Sequence, residues 1–369
     1  MIKILRALEV KVERKKSGIA IAGSCKKVKA PYSLVSTMRA SVCVLGPLVA
    51  KRRIAQVSFP GGCIIGPRPI DLHLKGLERL GVEIKIKSGY IVAKARKLKG
   101  SNIYLGGHFG SSVLATANTM MAATLADGIT TIENAACEPE IVDLANFLIS
   151  MGAKIEGHST PTLRIKGVKK LHGTTYSVIP DRIETGTYMI AGAIAGGDLF
   201  LENANGRHLL AVIDKLRESS IPIQIYKDGI RVKKSARKKT KSTAVTTLPY
   251  PGFPTDMQAQ IMSLLCLADG ISVITEKIYP ERFIHVSELS RMGAHILLEG
   301  PNAIIKGVNS LSGADVMASD LRASAALVLA GLVAKGKTRV HRIYHLDRGY
   351  ENLDKKLSGV GARIWREKE

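Results

Sequence analysis

Between Ser58 and His73 the chain reads SFPGGCIIGPRPIDLH, which puts Cys63 directly behind Gly61 and Gly62 and five residues ahead of Arg68. Paired glycines let a ligand come close to the main chain. A guanidinium offers a planar fork of donors suited to carboxylate or phosphate. A cysteine near a fixed cation gains thiolate character. Chemistry on an anionic substrate fits this loop. So does a structural cysteine in a tight turn, and the loop alone does not choose.

Residues of the same chemical kind recur where helical segments rich in small side chains begin. These starts are Thr37-Met38-Arg39-Ala40, Asp181-Arg182-Ile183-Glu184, Pro254-Thr255-Asp256-Met257 and Ser319-Asp320-Leu321-Arg322. Helix N-termini favour anions, and arginines there strengthen the preference. Strand-to-helix loops add Cys63 with Arg68, Glu138 with Glu140, Arg282 with His285, and Asp347 with Arg348. Arginine plus carboxylate at so many corresponding loops fits a substrate rich in phosphate and carboxylate. Taken one at a time, the same residues serve equally as caps and surface pairs.

The elements that must hold these residues come from an internal repeat. LERLGVEIKIKSGYIVAKARKLKGSNIYL, FLISMGAKIEGHSTPTLRIKGVKKLHGTTYSV and ELSRMGAHILLEGPNAIIKGVNSLSGADV share a helix ending, a strand, a turn and a second strand. A degraded copy begins near Ile213, and LDKKLSGVGARIWREKE is a partial one. The helix-ending junctions fall at Gly81, Gly152, Ser220, Gly293 and Gly361, a period of about 70 residues. Ahead of each copy lie a small-residue helix, a strand such as TTIEN or SVITE, and a polar loop. Apolar residues recur at the helical period in the helices and alternate in the strands. Each unit thus reads strand–helix–strand–helix–strand–strand, βαβαββ. The first is incomplete, because MIKILRALEVKVERKK matches only a second helix and its following strand. An upstream strand–helix–strand of about 40 to 50 residues is expected from the repeat.

With 369 residues the chain is long enough for two cores. No apolar run approaches the roughly 18 residues of a membrane span, and the start lacks the pattern of a signal peptide. Cysteines at 25, 43, 63, 137 and 266 form neither a metal-ligand spacing nor an even disulfide set, which points to a reducing cytoplasm. The net charge of +23 (54 minus 31) suits anionic partners, nucleic acid included. However, the basic residues are spread along the chain, and no aromatic-interleaved basic motif accompanies the denser stretches at Lys94–Lys99 and Arg231–Lys241. The charge reads chiefly as a solvated surface, with neither a membrane nor a nucleic acid as the expected partner.

Long segments make the chain recognisable: PYSLVSTMRAS, LGPLVAKRRIAQVSFPGGCIIGPRPIDLHLKGLERLG, TTIENAACEPEIVDLANFLISMGAKI, PDRIETGTYMIAGAI, FPTDMQAQIM, ERFIHVSELSRMGAH, ASDLRASAALVLAGL and RIYHLDRGYENLDKKL. From about Lys11 onward it resembles the UDP-N-acetylglucosamine enolpyruvyl transferases, which act in peptidoglycan synthesis. The resemblance implies a two-domain α/β fold, a pair of inside-out α/β barrels with the active site between them, residues 1–180 forming the first and 181–369 the second. The sister shikimate-phosphate transferases share fold and chemistry. The GGC-x-x-G-x-R-P-x-D-L-H loop and the DMQAQ segment belong to the sugar-nucleotide branch.

The same resemblance implies site roles. Cys63 protonates C3 of phosphoenolpyruvate and can form a covalent adduct with it, so no separate cofactor and no metal is expected. Asp256 takes the proton from the sugar 3-hydroxyl. Arg68 meets phosphate, while Arg322 and Arg348 grip the phosphoenolpyruvate anion with Asp320 ordering them. Arg39, Arg68, Pro69, Ile70, Asp71, Leu72, Ser112, Val113 and Ile278 line the UDP-sugar side. An epoxide such as fosfomycin is expected to label Cys63. Two departures accompany the match. The family's Lys-Asn pair near the N-terminus has no counterpart here, and Leu114 stands where the related loop, Ser-Val-Gly-Ala-Thr, has glycine. A catalytically impaired homologue that still binds nucleotide sugar is the alternative these departures leave open.

Overall fold

The computed structural model describes residues 1–23, 25–60, 70–107, 110–235 and 238–367. The chain divides into two compact units, one ending at Ile179 and the other running from Pro180 to Glu369. Each has its own apolar core.

One complete repeat of the first unit shows how the elements fit. Strand Lys29–Ala30 leads through helix Leu45–Arg52 to strand Ile54–Ser58, then through helix Asp71–Arg79 to strands Glu83–Lys87 and Tyr90–Lys94. Ile54–Ser58 runs parallel to the first strand and antiparallel to Tyr90–Lys94, which also pairs with Glu83–Lys87. The four-stranded sheet that results recurs around Ile129–Glu133 and around Ile271–Thr275. Only one face of each sheet is packed: in Ile129–Glu133 the buried residues are Thr130 and Ile132, as period-two alternation requires. At the two ends of the chain the repeat contributes two-stranded sheets, Lys11–Lys15 with Gly18–Ala22 and Asp315–Met317 with Arg339–His341.

Helices that open each repeat form the interior. Val113–Ala123, Gln258–Leu265 and Leu321–Gly331 are buried nearly all round, as expected of helices apolar on every face. Small residues let them approach: a Cβ on Gly46 would stand 2.3 Å from the carbonyl oxygen of Asn118. Helices inside and sheets outside make each unit an inside-out barrel.

The helix-ending junctions share one backbone state. Gly81, Gly152, Ser220, Gly293 and Gly361 all have positive φ, and so does Glu9, a sixth junction 72 residues before Gly81. Left-handed backbone there closes the second helix of each repeat and turns the chain into its strand pair.

One expected helix start is displaced. Arg39 opens a 3-10 turn, Arg39–Val44, and the α-helix begins at Leu45. Pro47 explains it: proline fits the first helical turn, but its ring opposes an α-helix carried further toward the N-terminus.

Candidate active site

In the second unit three opening helices, Arg182–Ala195, Gln258–Leu265 and Leu321–Gly331, bring their N-terminal ends together. Asp181 caps the first by accepting from the amides of Ile183 and Glu184. Asp320 caps the third by accepting from those of Arg322 and Ala323. Asp256 sits in the 3-10 turn Thr255–Met257 that leads into the second. All three carboxylates thus meet positive helix ends.

Asp256 is also held by two arginines. Its Oδ1 lies 2.9 Å from Arg282 and its Oδ2 3.5 Å from Arg322. With the Asp256 side chain 41 % exposed and the Arg282 side chain 5 %, the carboxylate fronts solvent while its counter-charges are built into the wall. Burial works against the charge on Arg322. Asp256, Tyr350 and Asp181 outweigh it and hold the guanidinium more firmly protonated than usual.

A buried support lies behind these charges. Arg282 donates to Thr255 Oγ1 (2.9 Å). Thr255 in turn donates to Glu276 Oε2, while Glu276 Oε1 accepts from Thr247 and from the amides of Ile278 and Tyr279. A fully buried carboxylate survives only when so well supplied with donors. It fixes the turn that carries Ile278. Arg348 is exposed at the end of the 3-10 helix Ile343–Arg348. Burial first, and then the Arg348 charge, pushes the His345 imidazole down, with Asp320 opposing. His285 is buried and also pushed down, by burial first and by Arg282, again against Asp320. Asp256, Arg282 and Arg322 thus form one charged cluster, and Asp320 and Arg348 both lie within electrostatic reach of His345.

In the first unit the arrangement is different. Cys63, Arg68 and Pro69 lie outside the described residues. Ile70 is buried at the cap of helix Asp71–Arg79, and Asp71 and Leu72 open that helix. Leu72 packs over Gly107, whose Cβ would meet it at 3.0 Å. Ser112 caps Val113–Ala123 through the amide of Ala115 (3.4 Å), and Val113 packs on the core. Buried His73 is pushed down to about 4, by burial first and then by the Arg39 charge, with Asp71 opposing. Arg39 and Asp71 therefore lie within electrostatic reach of one imidazole.

The sequence profile described as EPSP synthase (3-phosphoshikimate 1-carboxyvinyltransferase) matches residues 1–357. A UDP-N-acetylglucosamine 1-carboxyvinyltransferase of Methylacidiphilum infernorum is 53% identical over 366 residues, 99% of this chain and 86% of the relative. A second, from Caldanaerobacter subterraneus, is 54% identical over 99% of this chain and 87% of its own length. The chain belongs to this enolpyruvyl transferase family. The fold agrees: the enolpyruvyl transferase NikO from Streptomyces tendae superposes with a TM-score of 0.87 at 24% identity, covering 98% of this chain and 86% of that one. An EPSP synthase from Acinetobacter baumannii gives 0.74 at 18% identity, covering 100% and 88%.

Several residues of the cluster were not among the site residues read from the sequence. Arg282 stands in the sequence only as a loop residue beside His285, yet it makes a shorter ion pair to Asp256 than Arg322 does. Gln260, Glu276, Thr187 and Tyr350 were not singled out. Tyr350 stands two residues after Arg348, and Gln260 one turn after Asp256. For Gln260 that helical spacing is a signal that could have found it; two residues is not a helical spacing, so Tyr350 carried none.

Proposed function

We propose that this chain transfers the enolpyruvyl group of phosphoenolpyruvate to the 3-hydroxyl of UDP-N-acetylglucosamine, releasing phosphate, as a cytoplasmic step of peptidoglycan synthesis. The observation that carries the reading is Asp256, solvent-fronting and clamped by Arg282 and Arg322 where three helix N-termini meet, in a chain more than half identical to transferases of that name.

The chemistry follows from charge and proton traffic. Asp256 accepts the proton of the sugar 3-hydroxyl as its oxygen bonds to C2 of phosphoenolpyruvate. Cys63 delivers a proton to C3, so the double bond becomes a tetrahedral carbon bearing phosphate. Loss of a C3 proton then expels phosphate and restores the alkene on the sugar. Arg322, ordered by the Asp320 cap, and Arg348 hold the phosphoenolpyruvate anion, with Arg68 on phosphate. Preorganised cations at developing charge supply much of such a barrier's reduction, and a placed acid and base supply more. Arg39, Pro69, Ile70, Asp71, Leu72, Ser112, Val113 and Ile278 contact the nucleotide sugar. This reading calls for no cofactor, and Cys63 can in addition form a covalent adduct with phosphoenolpyruvate.

Incubation with both substrates is expected to release inorganic phosphate and to add an enolpyruvyl mass to the nucleotide sugar. No release at high enzyme concentration would overturn the reading. Labelling by an epoxide provides a companion measurement. Burial raises the thiols of Cys25 and Cys137, and lifts Cys43 to about 11 and Cys266 to about 12. These four are poor nucleophiles at neutral pH, so a single adduct is expected, on Cys63.

A further inference from the structure

The Tyr350 hydroxyl joins all three opening helices of the second unit. Tyr350 is 1% exposed, among the largest fully buried side chains. Its oxygen lies 3.0 Å from Arg322 Nη1, 2.9 Å from Thr187 Oγ1 and 3.3 Å from Gln260 Nε2. Gln260 Nε2 also donates to Thr187 Oγ1 (3.2 Å) and to the carbonyl of Asp256 (2.8 Å).

Proton accounting gives these bonds a direction. Thr187 spends its hydroxyl proton on the carbonyl of Ile183, 2.8 Å away in its own helix. Its oxygen must then accept from Tyr350, because a hydroxyl has one proton to give. The Tyr350 oxygen, its own proton committed, turns a lone pair to Arg322, whose guanidinium is donor only. Arg322 thus rests on a neutral acceptor through Nη1 and on Asp256 through Nη2. The Asp256 contact is the longer of the two, and the carboxylate is the more exposed partner.

We propose that Tyr350 is a positioning residue. Its hydroxyl, aimed by Thr187 and Gln260, fixes the Arg322 guanidinium so that its other N–H groups face the anionic substrate. The proposal rests on the transfer reaction above only in naming phosphoenolpyruvate as that anion. Without the hydroxyl the guanidinium keeps Asp256 and the face of the aromatic ring, whose centroid lies 5.5 Å from its Cζ, but loses the directional acceptor on Nη1 and swings toward the carboxylate that must accept a proton.

The test is a double-mutant cycle on the full chain. Tyr350→Phe should lower kcat/KM for phosphoenolpyruvate by about 10- to 100-fold, the range of a charge-assisted hydrogen bond, with KM for the nucleotide sugar unchanged. In an Arg322→Ala background the same substitution should cost nothing further. Thr187→Ser should keep wild-type constants, whereas Thr187→Val should reproduce the loss. Unchanged constants in Tyr350→Phe, or an equal loss with and without Arg322, would overturn the proposal and leave the tyrosine a packing residue. Calorimetry with phosphoenolpyruvate and with inorganic phosphate separates the two readings. Binding without turnover, weakened by Tyr350→Phe only when Arg322 is present, would sink the transfer reaction and uphold the positioning role. No anion binding by the wild-type chain would overturn both.

Discussion

The two units place different chemistry on one scaffold. Leu125-Ala126-Asp127-Gly128 and Leu267-Ala268-Asp269-Gly270 mark the same turn in each. Asn118 and Gln260 each precede that leucine by seven residues, Leu114 and Asp256 by eleven. His73 and His285 likewise each stand eight residues before a junction glycine, Gly81 or Gly293. Asn118 and Gln260 both lie within an opening helix, and the two histidines within a second helix of the repeat. Leu114 lies inside its α-helix, whereas Asp256 sits in the 3-10 turn ahead of its own. The side-chain role differs in every pair.

Asn118 ties the first unit's interior together: its Oδ1 accepts from the Gly46 amide (2.6 Å), and its Nδ2 donates to the Val42 carbonyl (3.0 Å) and meets His73 Nδ1 (3.1 Å). Gln260, longer by one methylene, reaches Thr187, Tyr350 and the Asp256 carbonyl. One amide locks a neutral core; the other braces a charged site. His73 has a side-chain partner for its ring, whereas the Nε2 of His285 finds none among the described residues and the ring lies between the opposing charges of Arg282 and Asp320. A duplicated architecture can thus keep helix packing constant while equivalent positions hold a neutral core in one unit and a charged cluster in the other.

Substitutions at paired positions sharpen this contrast. The largest stability effect is expected from Asn118→Leu. It strands the buried Gly46 amide and Val42 carbonyl, each worth about 1–3 kcal/mol, and chemical denaturation should show a loss of about 3 kcal/mol. Gln260→Leu should depress turnover more than it depresses stability. The reverse order for this pair would break the comparison.

A second expectation concerns acid. Folded His73 titrates at about 4 against 6.5 for the free side chain. Between those values the unfolded chain binds the extra proton, so stability falls as pH drops from about 6.5 to about 4. One pKa unit is about 1.4 kcal/mol, so the loss approaches about 3.5 kcal/mol at most. Denaturation across this window should show a shallower slope in His73→Gln than in wild type. An unchanged slope would mean that His73 is not held neutral.

The smallest effect is at the junctions. Ser220 takes a positive φ where four other junctions have glycine, and a non-glycine residue in left-handed backbone costs about 1 kcal/mol. Ser220→Gly should raise the denaturation midpoint by the equivalent of about 0.5–1 kcal/mol. The converse Gly293→Ala, whose Cβ meets nothing within 4 Å, should lower it by a similar amount because only the backbone is strained.

Much of this organisation was legible in the sequence. The repeat length, the βαβαββ order and the Asp and Arg at helix starts are all local patterns, and the structure reproduces them at Asp181, Asp256, Asp320 and Arg322. The sixth junction was not, because Glu9 has none of glycine's conformational freedom to advertise it. Nor was the 3-10 start at Arg39, which depends on Pro47 eight residues later. The supports of the site were hidden for a deeper reason. Tyr350, Thr187 and Gln260 are ordinary residues of buried helices and turns until the helices meet, and the pairs they form span as many as 163 residues. Apart from the one-turn spacing of Asp256 and Gln260, such contacts leave no short-range trace.

The central claim is that Asp256 works as the proton acceptor on a scaffold whose first-unit counterpart, Leu114, takes no part in proton transfer. Phosphate release at saturating phosphoenolpyruvate and UDP-N-acetylglucosamine, measured for Asp256→Asn and Leu114→Asn beside wild type, tests it directly. The account predicts a fall of about 10²- to 10⁴-fold for Asp256→Asn, the range for a lost general base, with folding intact, and turnover near wild type for Leu114→Asn. Near-wild-type turnover in Asp256→Asn would contradict it.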